Sequence, residues 1–129
     1  MNIQELAHVS HAAAKSKGFW DGERNKPELL MLIVSEAAEA LEALRKNRFS
    51  KKEEVEELFE KLFSEQEVSL VEFKTEFESK IKNTFEDEIA DTIIRLFDLA
   101  GGLDIDIQKH ILLKLEYNMT RGHKHGKQF

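Results

Sequence analysis

The sequence has no cysteine, one proline and only six glycines. Without cysteine there is no disulfide, no thiolate metal site and no thiol nucleophile. So few chain breakers imply long, uninterrupted elements. No apolar run approaches the ~20 residues that a bilayer crossing needs, so no membrane partner is expected. The opening Met1-Asn2-Ile3-Gln4-Glu5 lacks the basic start and apolar stretch of a secretory signal. Nowhere do β-branched residues alternate with polar ones as a half-buried strand requires. These absences predict an all-α protein of the cytoplasm.

What is present fits one domain over 1–129. The 129 residues are 41% hydrophobic, enough for a single core. Lys and Arg total 19 against 25 Asp and Glu, a net charge of −6. Such a chain repels phosphate on average, so no nucleic-acid partner is expected. The basic residues are nevertheless segregated. From Lys114 onward stand Lys114, Arg121, Lys124 and Lys127 against the single acid Glu116, with His123 and His125 among them. An acidic body with a short basic tail suits a small phosphorylated ligand.

Apolar spacing predicts helices over Ile3–Lys15 and Pro27–Lys46, the second opening on its proline. Capping-box spacing marks three further starts, Ser50-x-x-Glu53, Ser69-x-x-Glu72 and Thr84-x-x-Asp87. The last of these opens a helix over Phe85–Ala100 that Gly101-Gly102 should end. A final helix is expected over Asp104–Arg121. The stretch 49–82 is densely charged outside its Phe and Leu stripes. It reads as a two-helix insertion, leaving an antiparallel bundle of four core helices. Phe49, Phe59, Phe63, Phe73, Phe77 and Phe85, in or beside that insertion, point to an accessory subcore or a subunit interface.

Acids three apart are common here, so spacing alone identifies nothing. Surroundings separate the cases. In Leu29–Leu41 the only charges are Glu36 and Glu39. At about 100° per residue, Glu36 falls within the arc of Leu29, Leu32, Ile33 and Ala40. A carboxylate there costs several kcal/mol unless something compensates it. Glu88 and Asp91 occupy a narrow polar strip, with Arg95 and Asp98, on an otherwise apolar helix. Packed together, the two helices would converge Glu36, Glu39, Glu88 and Asp91. Four partly buried carboxylates need a cation, and an oxygen-only set selects Mg²⁺, with Mn²⁺ as the alternative. The competing reading pairs Asp91 with Arg95 and turns the glutamates outward.

Lys114, Asn118 and Arg121 share one arc of the last helix, continuing the stripe of Ile107 and Ile111. Cations there offer contacts to phosphate oxygens, or simply favour a helix C-terminus. Trp20, beside Phe19 in a glycine-flanked loop, offers a ring to stack on a base; the alternative is a loop anchor. A di-iron bundle needs two Glu-x-x-His motifs, and Glu5-x-x-His8 stands alone.

Glu36-x-x-Glu39, then Glu88-x-x-Asp91, then Lys114, Asn118, Arg121 and a His-Gly-Lys tail together resemble the MazG-like nucleoside triphosphate pyrophosphohydrolases of the all-α NTP pyrophosphatase superfamily. The resemblance covers Pro27–Lys46 and Phe85–Phe129 well, and the N-terminal helix with Phe19-Trp20 more loosely. It implies Mg²⁺-dependent cleavage of a nucleoside triphosphate to monophosphate and pyrophosphate, in a homodimer or dimer-built tetramer. Under it, Glu36, Glu39, Glu88 and Asp91 hold metal. Glu39, or else Glu36, serves as base, and Lys114, Asn118, Arg121, Lys124, Lys127 and Trp20 bind substrate. The chain departs from the family in carrying Ser35 where a further glutamate often precedes Glu36, and in the long 49–82 segment. The non-enzymatic alternative is a helical oligomerisation or interaction module with a solvated acidic face.

Overall fold

A computed structural model describes residues 1–64 and 68–129. The middle of the expected insertion, 65–67, lies outside the described residues. Among those described there are six α-helices and no strand. They are α1 (Ile3–Ser16), α2 (Lys26–Arg45), α3 (Lys52–Leu62), α4 (Leu70–Lys80), α5 (Phe85–Gly102) and α6 (Ile107–Met119). A short 3₁₀ turn, His123–Gly126, follows. No described helix is long and apolar enough to cross a membrane.

Local chemistry sets most helix starts. Asn2 and Glu5 form a reciprocal capping box at α1. Asn25 caps α2 by accepting from the Glu28 N–H at 2.8 Å, and Pro27 follows in the first turn. Ser69 caps α4 as the sequence predicts, its Oγ accepting from the Glu72 N–H. Asp106 caps α6, which therefore starts later than Asp104. Asp104 itself sits at φ +55° in the preceding turn.

Two expectations at helix ends are corrected. Ser50 does not cap α3, which begins at Lys52 without a side-chain cap. The Ser50 N–H instead donates to Glu86 Oε2 at 2.9 Å, tying the entry of α3 to the first turn of α5. Gly101 and Gly102 do not stop α5; they are its last two residues. A Cβ on Gly101 would lie 2.8 Å from the Ala7 carbonyl oxygen and 2.7 Å from His11 Cβ. One on Gly102 would lie 2.5 Å from the Trp20 ring. Both glycines therefore permit close approach rather than reversal.

The chain divides into two compact units, Met1–Arg24 with Ile94–Phe129, and Asn25–Ile93. In the first, α1 packs on α6, and Ala7 and Ala100 are buried. Gln4 and Gln108 exchange backbone-to-side-chain hydrogen bonds across that pair. Asp98 Oδ1 accepts from Trp20 Nε1 at 2.9 Å and meets His11 Nδ1 at 3.0 Å. In the second unit, Leu29, Glu36, Ala40 and Ala43 form the buried stripe of α2. Helices α3 and α4 pack as a hairpin, closed by Leu58 and by a Lys61–Glu76 ion pair at 2.9 Å. The Phe85 N–H donates to the Arg48 carbonyl at 2.8 Å, and Phe49 meets Phe85 edge-on. The chain before α3 and the chain entering α5 are thus held side by side.

Candidate functional site

The second unit holds the acidic cluster. Glu36 of α2 and Glu88 and Asp91 of α5 each place a carboxylate oxygen within 4.8 Å of the others. Helical periodicity brings this about. Glu36 rides the same stripe as Leu29 and Ala40, so burying the stripe buries the acid. One turn separates Glu88 from Asp91, which puts both on one face of α5. Glu36 is 8% exposed and Glu88 6%, whereas Asp91 is open to solvent. The two glutamates therefore point inward, against the outward alternative.

Glu39 is not among the three. It is exposed, yet a side-chain hydrogen bond joins it to Glu88. Burial first, then that hydrogen bond and the Glu39 charge, then the charges of Asp87 and Asp91, push Glu88 up to about 7. Glu88 Oε2 is buried and has no hydrogen-bond partner. A buried carboxylate oxygen without a donor is the condition that a cation relieves. The residues fit a hard divalent ion: the donors are all carboxylate oxygen, one side is open, and one oxygen lacks any other partner. Ser35 faces away from this role, its hydroxyl donating to the Leu32 carbonyl at 2.6 Å.

A cavity of about 510 Å³ adjoins the cluster, lined by Glu39, Asp87, Glu88 and Asp91 and, across from them, by residues of α4 and the turn after it. Sequence reasoning missed both Asp87 and that far wall. The signal for the wall was present in the Phe73/Phe77 stripe, which the sequence offered as an accessory subcore or a subunit interface.

The basic residues belong to the first unit. Lys114 Nζ on α6 lies 4.8 Å from the centre of the Tyr117 ring, and the guanidinium of Arg121, which falls past the helix end at Met119 rather than within the helix as expected, lies 5.6 Å from it. Arg121 Nη2 also reaches the His125 carbonyl. Asn118 Oδ1 is buried without a hydrogen-bond partner. Lys124 and Lys127 are exposed in and after the terminal turn. Trp20 is partly buried, with its N–H on Asp98, its edge against His11, and Arg24 over its ring at 5.6 Å. Those engagements suit the loop-anchor reading of Trp20.

Comparison of the chain with protein-family models, with curated proteins and with solved structures gives no match.

Proposed function

We propose that the protein is a Mg²⁺-dependent nucleoside triphosphate pyrophosphohydrolase of MazG-like type, acting in the cytoplasm. The observation that carries this reading is the buried carboxylate Glu88, with an unpartnered oxygen, drawn together with Glu36 and Asp91. The sequence resemblance supplies the reaction; the cluster supplies a place suited to its cation. In this reading α1, α2, α5 and α6 are the four bundle helices, and 49–82 is an insertion between the two acidic motifs.

Glu36, Glu88 and Asp91 would hold Mg²⁺, or Mn²⁺ in its place. When bound, the ion supplies charge neutralisation and Lewis acidity at the phosphate oxygens. Glu39, hydrogen-bonded to Glu88 but outside the trio, is placed to accept the proton of the attacking water. The water oxygen forms the new bond to phosphorus, and the bond between the α and β phosphates breaks. Lys114 and Arg121 hold phosphate oxygens and stabilise charge that develops there. Asn118 offers its amide to sugar or phosphate, and Lys124 and Lys127 add positive charge along the tail.

Exposed apolar faces on several helices support assembly into a homodimer or dimer-built tetramer. The same faces favour the second reading, a non-catalytic interaction module. One experiment separates the two. Purified protein with Mg²⁺ is supplied with a panel of ribo- and deoxyribonucleoside triphosphates, and pyrophosphate release is followed. The enzyme releases pyrophosphate and loses at least about a hundredfold in rate as Glu36→Gln, in line with the cost of misplacing catalytic groups. The module releases none, and its melting temperature ignores Mg²⁺.

A further inference from the structure

The cavity beside the acidic cluster has a wall of a different chemistry. Opposite Glu39, Glu88 and Asp91 it is lined by Phe73, Phe77 and Lys74 of α4 and by Lys82 just after it. Its volume of about 510 Å³ suits a small-molecule ligand. Phe73 and Phe77 are one helical turn apart, with ring centres 6.0 Å apart and planes inclined by only 29°. Both are half-buried. The same two rings line the α3–α4 seam with Leu58 and Phe59, so they are supported from behind. The Lys61–Glu76 ion pair joins the two helices of the hairpin.

An aromatic lining next to carboxylates satisfies neither group. The ring face carries partial negative charge, and acids gain nothing from an apolar neighbour. A single ligand with a planar heterocycle at one end and a cation-neutralised polyphosphate at the other satisfies both. The rings therefore serve two places at once, the α3–α4 seam and the cavity beside the acids.

We infer that α4 of the insertion is the base-recognition wall of the site, with Phe73 and Phe77 packing against the nucleobase of the triphosphate. This rests on the pyrophosphohydrolase reading and adds base-binding residues to it. Phenylalanine offers no hydrogen bond to a base edge, so the wall selects a planar ring and tolerates all bases. Lys74 and Lys82 line the same cavity, where Lys74 lies 3.8 Å from Glu78.

The test compares wild type with Phe73→Leu and Phe77→Leu, which keep apolar bulk for the seam and remove the flat face. KM for each nucleoside triphosphate is measured with Mg²⁺. Inorganic triphosphate, which has no base, is measured as a competitive inhibitor, and Mn²⁺ is titrated by melting temperature. The wall predicts KM raised about tenfold in each variant, as loss of a base–aromatic contact implies. It also predicts an unchanged inhibition constant for inorganic triphosphate and an unchanged Mn²⁺ response. Wild-type pyrophosphate release with unaltered KM in both variants overturns the wall and leaves the enzyme reading standing. A wild type with neither pyrophosphate release nor metal response overturns both. Should the leucine variants lose helix by circular dichroism, Phe73→Trp carries the test: a larger ring lowers KM, and an unchanged KM overturns the inference.

Discussion

Burial and a neighbouring carboxylate act on Glu88 in the same direction. Its pKa is pushed to about 7 from an ordinary 4.5. Between those values the folded chain binds a proton that the unfolded chain does not. Stability from this group is therefore intact below pH about 4.5 and falls as pH rises to about 7. At about 1.4 kcal/mol per unit, the ionised group costs the metal-free fold up to about 3 kcal/mol. Glu88→Gln should thus melt higher than wild type at pH 8 in chelator and alike near pH 4.5. Adding Mg²⁺ at pH 8 should stabilise wild type and leave the variant unmoved. A difference in melting temperature that stays flat across pH refutes the assignment. Glu36 was legible in the sequence as a charge set among apolar neighbours at helical spacing, and Glu88 as part of a narrow polar strip on an otherwise apolar helix. Asp98 was not. Its partners His11 and Trp20 lie 87 and 78 positions away, and no periodicity links residues at such separations.

Helix type and order were legible throughout, because the 3.6-residue stripe is local information. Helix ends were less so, since tertiary partners compete for the same groups. Ser50 has the side chain of a cap, but its N–H is taken by Glu86 and α3 starts uncapped at Lys52. Gly101 has the identity of a stop signal, but its missing side chain is filled by α1. This can be measured. Alanine is the better helix former by about 1 kcal/mol, so an exposed Gly→Ala change within a helix should stabilise. Gly101→Ala should instead destabilise by about 1–3 kcal/mol, because the Ala7 carbonyl oxygen 2.8 Å from the new Cβ is backbone and yields poorly. Gly22→Ala, which meets nothing within 4 Å, is the control and should be near neutral. Urea denaturation of the three proteins checks it, and a Gly101→Ala protein as stable as wild type would show that α1 does not need the approach.

At the scale of the molecule, the balance between buried and exposed apolar surface is the dominant fact. Among the described residues, no large side chain is completely withdrawn from solvent. Helix α2 shows why. Its buried stripe is Leu29, Glu36, Ala40 and Ala43, while a second stripe, Leu30, Val34, Leu41 and Leu44, falls within an arc of about 80° on a neighbouring face. Those four side chains are 44–54% exposed. A helix apolar on more than one face is ordinarily buried on both, and contiguous exposed apolar surface marks association. The sequence hinted at this through its phenylalanines, yet the clearest face is aliphatic and lies outside the insertion. In the homo-oligomer proposed above, a partner covering this stripe of α2 adds to the stability of the chain. Self-association then couples to folding, and the melting temperature should rise with protein concentration, as it does when only the folded state binds its partner. Light scattering at micromolar concentration should return a dimer or tetramer. Val34→Lys and Leu41→Lys, each placing a charge on the stripe without touching Glu36's face, should shift the population toward monomer and lower the melting temperature together. A monodisperse, concentration-independent monomer whose stability ignores both substitutions would show that the second stripe of α2 is simply solvated.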